Sequence, residues 1–396
     1  MAVANVLAEA ALAVWLAQSI GSTIAVAAYR RGLPQPEFPG EEPGVAVIVP
    51  VRGSGRLAEF LPALRRQVYE PYRLIAAVES PNDPAFAILQ AAGAQPGAPL
   101  EIVVAGLATD AGQKVWNQLA ALDRLAEADE IVAFVDADTL PTPLWLPRLV
   151  AALVNSGRPV VTGYRWMTPT DGRASSRCLA SANNALAALP RGALPMPLVW
   201  GGSVAMRRET LEAIRIRDFW RGAISDDGQM AEALRRAQLT AHAPRQGLLL
   251  TPVSCSWADL FEFGVRQYRF VFLHQPWSWA VAMAALWAPP ICLTLAAPAF
   301  GSGAAGPWIL LAVGLLLAEI RTRVRGSIER TLWPGLATTP SGGPAWAARL
   351  LGPVGWMAHA LSAAGAPLSR RITWAGIRYR VDRPQQVVVE ERTPAR

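Results

Sequence analysis

From Phe270 to Ala318 the chain carries no aspartate, glutamate, lysine or arginine. At 1.5 Å of helix per residue, a run of that length can cross a hydrocarbon core of ~30 Å twice. It predicts two membrane-spanning helices, roughly Ser278–Phe300 and Pro307–Ala318, joined at 301–306, the second of them short. Arg321, Arg323 and Arg325 follow directly and mark a return to the cytoplasmic side. A second uncharged run lies between Glu9 and Arg30 and predicts an N-terminal anchor. No basic residue precedes it, as a cleaved signal peptide would require, and Arg30-Arg31 behind it place the N-terminus outside. Most of the 15 tryptophans lie after residue 250, as an interfacial aromatic belt would have them.

Hydrophobic residues make up 52% and charged residues 17%, too apolar for an ordinary soluble enzyme. The net charge is +7, yet Lys114 is the sole lysine among 37 lysines and arginines. That bias reads as base composition of the genome. No basic stripe interleaved with aromatics occurs, so the expected partner is a lipid bilayer and not nucleic acid. The 3 cysteines form neither a disulfide framework nor a metal-ligand spacing, which suits a reducing cytoplasm.

Behind the anchor, residues 32–44 form a Pro/Gly/Glu linker. Strand-like runs at 45–51, 74–78, 102–104 and 131–135 then alternate with helical spacing at 57–68, 84–92 and 113–126. That alternation predicts an α/β domain with a mostly parallel, doubly wound sheet. Further strands are expected at 159–164 and 200–206, and a helix at 174–189. The predicted organisation is an anchor at 1–31, a linker at 32–44, a cytoplasmic domain at 45–256, an interfacial amphipathic helix at 257–276, two spans over 277–320, and a membrane-associated region and tail at 321–396. Residues 345–366 suit either a third C-terminal span or a helix lying in the interface. The polar tail 385–396 reads as frayed.

The buried run Ile131–Val135 leads straight into Asp136-Ala137-Asp138. In open α/β sheets ligands bind beyond the carboxyl ends of the strands. Two carboxylates there can share a hard divalent cation, with phosphate oxygens completing its shell. Asp-x-Asp also arises by chance, so context decides. Ser225-Asp226-Asp227 stands before a helical stretch, and helix capping alone would account for its aspartates. Gly201-Gly202 permits close backbone approach or makes an ordinary turn. Arg266 and Arg269 lie one helical turn apart and would serve as a phosphate fork or as interfacial anchors. The α/β half of the chain holds neither G-x-G-x-x-G nor a Walker A sequence, against a dinucleotide enzyme or a P-loop NTPase.

With these pieces in order, the chain resembles the glycosyltransferase family 2 superfamily, and within it the ceramide-glucosyltransferase-like branch that includes bacterial hopanoid-associated transferases. The resemblance runs from about Val45 to Val381. It rests on VAVIVPVRG, Ser80-Pro81-Asn82-Asp83-Pro84-Ala85, Gly112-Gln113-Lys114-Val115-Trp116-Asn117, Asp136-Ala137-Asp138, Trp200-Gly201-Gly202-Ser203, Ser225-Asp226-Asp227, Arg266-Gln267-Tyr268-Arg269-Phe270 and Ile372–Tyr379.

Such a resemblance implies a GT-A-type, Rossmann-like catalytic domain between N-terminal and C-terminal transmembrane helices, at a bacterial inner membrane with the domain cytoplasmic. It implies an inverting, metal-dependent transfer from a nucleotide sugar, a UDP-hexose or UDP-N-acetylhexosamine, to a membrane lipid hydroxyl. Glu79 or Asp83 would contact the nucleoside, and Lys114 the uracil or diphosphate. Asp138, supported by Asp136, would hold Mg²⁺ or Mn²⁺, and Gly201-Gly202 would lie beside the donor. Asp227 would be the general base, oriented by Asp226, with Arg266 and Arg269 clamping the diphosphate. Phe270 stands where the family's arginine motif usually ends in Trp, and Arg266 where many members have Gln. The rival readings are a processive polysaccharide synthase, which would need more spans, and a non-catalytic membrane scaffold.

Overall fold

The computed structural model describes residues 2–33, 42–189, 199–301, 305–334 and 345–395. Linker residues 34–41 and turn residues 302–304 lie outside the described residues. The chain divides into two compact units. One holds Pro34–Trp166, Arg191–Pro252 and Pro367–Arg396, and the other the remaining segments.

The first unit is built on a seven-stranded sheet in the order β3-β2-β1-β4-β7-β5-β8. These strands are β1 (Val45–Pro50), β2 (Tyr72–Val78), β3 (Leu100–Val104), β4 (Ile131–Val135), β5 (Val160–Thr162), β7 (Ser203–Arg207) and β8 (Ala241–His242). β1, β2, β3 and β4 run parallel. β7 runs antiparallel to both β4 and β5. The chain winds outward from β1 to β3 and then returns to place β4 against the other side of β1. That reversal opens a crevice at the carboxyl ends of β1 and β4.

Both faces of the sheet are covered, which is why its central strands are continuous apolar runs rather than alternating ones. Val45, Val47 and Val49 of β1 point to one core with Ile131, Ala133 and Val135 of β4. Leu57, Phe60 and Leu61 of α2 (Leu57–Leu64), Leu89 of α3 (Pro84–Gly93) and Leu146 of α5 (Trp145–Ser156) fill that side. Ala46, Ile48, Val132 and Phe134 point to the other core, with Val115 of α4 (Gln113–Leu122), Leu211 of α7 (Arg208–Ala213), Trp220 of α8 (Ile216–Trp220) and Met230 of α9 (Asp226–Arg236). There Phe134 meets Trp220 edge to face, with centroids 5.5 Å apart.

The C-terminal segment forms a three-stranded antiparallel sheet of β10 (Arg371–Trp374), β11 (Ile377–Arg383) and β12 (Gln386–Arg392). This corrects the expectation of a frayed tail. Ile377, Tyr379 and Val381 are buried while the charged residues between them are exposed. Such alternation is the mark of a half-buried strand, and antiparallel pairing with it orders β12, whose polar residues suggested fraying. A further ribbon pairs β6 (Tyr164–Pro169) with β9 (Leu248–Val253).

The second unit is helical, with α1 (Ala2–Arg31), α6 (Ala174–Ala187), α10 (Trp257–His274), α11 (Pro276–Phe300), α12 (Ala305–Leu332) and α13 (Ala345–Gly365). α1 packs on α11 and α12. Gly314 makes that approach possible, since a Cβ there would lie 1.9 Å from the Trp15 ring. α12 runs well beyond the apolar stretch that ends at Ala318 because its arginines find partners. Arg321 bonds the Ser19 carbonyl and Thr23 Oγ1 at 2.9 and 3.0 Å, and Arg323 bonds Glu319 at 2.8 Å. Among the described residues, three helices are long and apolar enough to cross a membrane, covering Ala8–Arg31, Pro276–Ala297 and Ala305–Leu332.

Phe134→Ala should test how much the second core face contributes. Deleting a fully buried aromatic costs about 3–5 kcal/mol, so the unfolding temperature of the detergent-solubilised protein should fall clearly. An unchanged temperature would contradict the packing described.

Candidate active site

The carboxyl ends of the central strands carry the polar residues of the crevice. β4 ends at Val135, and Asp136 follows at once, its amide held by the Gly202 carbonyl at 3.2 Å. The Thr139 hydroxyl donates to the Asp136 carbonyl at 2.7 Å and closes the turn. From the other face, α9 begins at Asp226. The Ser225 hydroxyl accepts from the Gly228 amide at 3.1 Å as its N-cap. The Trp220 indole donates to the Asp226 carbonyl at 3.1 Å. The core of the second face therefore fixes where this helix starts.

Lys114, in the first turn of α4, ties these two origins together. Its Nζ stands 2.7 Å from Asp136 Oδ1 and 2.9 Å from Asp226 Oδ2. Asp226 is only 2% exposed and also accepts from Gln118 Nε2 at 3.0 Å. The flanking carboxylates outweigh the desolvation of the amine and hold the Lys114 pKa above its ordinary value. The helix can bring Lys114 there because Gly112 at its N-cap lies against Ile224, where a Cβ would stand 2.7 Å from the carbonyl oxygen.

Gly201 and Gly202 have a specific task in this arrangement. A Cβ on Gly201 would fall 2.0 Å from Asp226 Oδ2, and one on Gly202 would fall 2.2 Å from the Trp200 ring and 2.6 Å from Asp136 Oδ2. The backbone lies directly against both aspartates. Any side chain there would displace a carboxylate.

Asp138 and Asp227 are the acids whose surroundings least favour the anion. Desolvation first, and then Asp136, push the Asp138 carboxyl up, while Arg165 and Lys114 pull it down. Its side chain nonetheless opens to solvent. Asp227 is raised by desolvation and by Asp226, against the pull of Lys114. It sits in the first turn of α9, where its Oδ1 accepts from the Ser225 hydroxyl and, at 2.8 Å, from the Gly228 amide.

Among the described residues, no three His, Cys, Asp or Glu side chains stand together as a metal site. The pair Asp136 and Asp138 offers hard oxygen donors, and Asp138 pays an electrostatic penalty that a cation would relieve. Those residues fit a divalent ion such as Mg²⁺ or Mn²⁺ whose other ligands come from a bound phosphate and water.

Other residues singled out in the sequence have different partners. Glu79, at the end of β2, accepts from Arg52 Nε at 3.0 Å and from Arg392 at 3.1 Å. Asp83 is 5% exposed. It caps α3 through the Ala85 amide at 2.9 Å and also receives the Gly53 amide at 2.9 Å. Arg266 and Arg269 lie on α10 of the helical unit. There Arg266 covers the Phe263 ring at 5.4 Å. Arg269 is 5% exposed and donates to the Ala366 carbonyl at 2.8 Å, closing the C-terminal end of α13.

Sequence reasoning did not single out Arg52, Gln118, Trp220, Trp374 or Arg392. The Lys114 ammonium lies 5.9 Å from the centre of the Trp374 ring. Arg52 and Trp374 both stand inside stretches that carried the resemblance, which was the available signal. Gln118, Trp220 and Arg392 matter through contacts that no local pattern announces.

The mannosyltransferase PcManGT from Pyrobaculum calidifontis, solved in complex with GDP-Man and Mn²⁺, is similar at 19% identity, over 84% of this chain and 99% of that one, with a TM-score of 0.53. That likeness concerns the fold, and with the mostly parallel sheet it makes the first unit GT-A-like. Glucosyl-3-phosphoglycerate synthase from Mycobacterium tuberculosis, solved with Mn²⁺, UDP and phosphoglyceric acid, matches at 18% identity, over 62% of this chain and 80% of that one, with a TM-score of 0.34. No curated protein sequence matches the chain. The model of glycosyl transferase family 21 matches residues 10–387, nearly the whole length. The chain belongs to glycosyl transferase family 21 and is a glycosyltransferase acting on nucleotide sugars.

Proposed function

We propose that this protein is a membrane-bound, metal-dependent, inverting glycosyltransferase that moves a hexose or N-acetylhexosamine from a UDP-sugar to a hydroxyl of a membrane lipid. Within its family it belongs to the lipid-glycosylating, ceramide-glucosyltransferase-like branch, with its catalytic domain on the cytoplasmic side of a bacterial inner membrane. The observation that carries the reading is the convergence of Asp136, Lys114 and Asp226 at the sheet's switch point, with Asp138 and Asp227 beside them. The three long apolar helices support a bilayer-borne acceptor. The amphipathic face of α10 supports it too.

The donor lies across the carboxyl ends of β1, β2 and β4, its nucleoside toward Glu79 and Asp83. Asp138, with Asp136, holds the divalent cation, which when bound neutralises charge on the departing diphosphate. Asp227 takes the proton from the acceptor hydroxyl as its oxygen bonds to the anomeric carbon. The bond from that carbon to the diphosphate oxygen breaks, and its electron pair leaves with the nucleoside diphosphate. In-line attack inverts the configuration. A carboxylate raised above its ordinary pKa is a stronger base, which suits Asp227 to this role. Asp226, fixed by Lys114 and Gln118, keeps the base in place.

Membranes containing the protein, incubated with labelled UDP-sugars or GDP-mannose, Mn²⁺ and total lipid extract, should yield a labelled lipid carrying one sugar. A long polymer would favour a processive synthase, and no product with any donor would sink the assignment. Asp227→Asn should lower the transfer rate by about 10²–10⁴-fold, the usual worth of a general base, while nucleotide binding persists. A scaffold would retain its cellular phenotype with this substitution. Because the Asp227 pKa is raised, the base is lost as pH falls through that raised value. The acid limb of the rate profile should therefore lie above the ordinary carboxylate range, and a limb within that range would argue against Asp227.

A further inference from the structure

The turn Trp374-Ala375-Gly376, between β10 and β11, stands beside the lysine–carboxylate cluster and has no task in the chemistry above. We propose that Trp374 is a specificity-determining residue of the donor site, its indole forming the flat wall against which the transferred pyranose stacks. The inference rests on the glycosyltransferase reading and adds the surface that recognises the sugar rather than the nucleotide.

Position is the first argument. Lys114 Nζ lies 2.7 Å from Asp136, 2.9 Å from Asp226 and 5.9 Å from the Trp374 ring centre. The ring is thus one side chain away from Asp136 and Asp226. The lysine does not explain the ring's presence. Two carboxylates already match its charge, and 5.9 Å is close to the ~6 Å limit of a useful cation–π contact. Trp374 is also only partly buried.

Rigidity is the second argument. Ala375 holds a left-handed φ of 49° and Gly376 one of 74°, a turn with positive φ at both centres. A left-handed alanine is unfavourable and persists where its surroundings impose it. Here Arg52 Nη1 donates to the Ala375 carbonyl and Nη2 donates to the Thr393 carbonyl at 2.6 Å. Thr393 bonds the Gly376 carbonyl through its amide at 2.9 Å and its hydroxyl at 2.8 Å. Glu79 binds both Arg52 and Arg392, so the turn is tethered to the ends of β1 and β2. Tyr379 adds a further tie, its hydroxyl accepting from the Gln113 amide at 3.2 Å, one residue before Lys114. A loop that only covered the crevice would not need so many fixed points.

The test compares binding of UDP with binding of the UDP-sugar the wild type uses, each with Mn²⁺, on full-length protein in detergent. Trp374→Ala should weaken the UDP-sugar about tenfold, the scale of a well-placed aromatic contact, while UDP binds within about twofold of wild type. Trp374→Phe, which keeps a flat ring, should recover most of the loss. Trp374→Leu, which keeps apolar bulk without a flat ring, should not. Retained UDP binding also reports that each variant is folded. Equal weakening of both ligands would make Trp374 a structural cover and overturn the proposal, as would unchanged UDP-sugar affinity. A wild type that binds UDP but none of the UDP-sugars or GDP-mannose would overturn the donor reading itself, and this inference with it.

Discussion

Lys114 is the group on which the site depends. The sheet topology brings a carboxylate from the end of β4 and another from the start of α9 to one point, and Asp226 is almost entirely enclosed there. Two unpaired anions in such a place would repel each other and forfeit hydration worth several kcal/mol per ion. One ammonium between them, at 2.7 and 2.9 Å, offsets both costs and is kept protonated by the same two anions. The compensation stops short of Asp138 and Asp227, whose carboxyls stay raised. The lysine-paired carboxylates, Asp136 and Asp226, thus differ from Asp138 and Asp227, whose anions the lysine's charge supports only in part.

The surrounding elements serve that arrangement. Phe134 and Trp220 set the start of α9 through the second core. Gly112, Gly201 and Gly202 remove the side chains that would hold α4 and the β7 approach away from the aspartates. The C-terminal sheet, 313 residues from Glu79 along the chain at the Arg392 contact, closes onto the strand ends through Arg52 and Arg392. The catalytic unit thus includes the final segment of the chain.

Much of this was legible in the sequence, for identifiable reasons. β1, β2 and β4 are apolar runs because both faces of the sheet are covered, and the run ending at Val135 is the strand that leads into Asp136. Ser225 as a helix cap was equally readable, since its hydroxyl is placed by local geometry. Gly201-Gly202 is a turn, closed by the Ser203 amide on the Trp200 carbonyl, and seeing that it is also a close approach needed Asp226, which only the fold brings near. Lys114 was visible as a lone lysine, but its partners on two other elements were not. Asp83 and Arg269 also have partners that the sequence did not announce, the first capping α3 and the second closing α13. The C-terminal strands escaped because Arg, Glu and Gln on their exposed face outweighed the alternating Ile377, Tyr379 and Val381 beneath.

In the proposed mechanism the two raised carboxylates do different work, Asp138 beside a cation and Asp227 on a proton. The electron paramagnetic resonance signal of Mn²⁺ titrated into the protein with UDP measures this most directly. The free-ion signal should be quenched by wild type and by Asp227→Asn, but not by Asp138→Asn. Quenching by Asp138→Asn equal to that of wild type would contradict the division of roles, and with it the reading of the site.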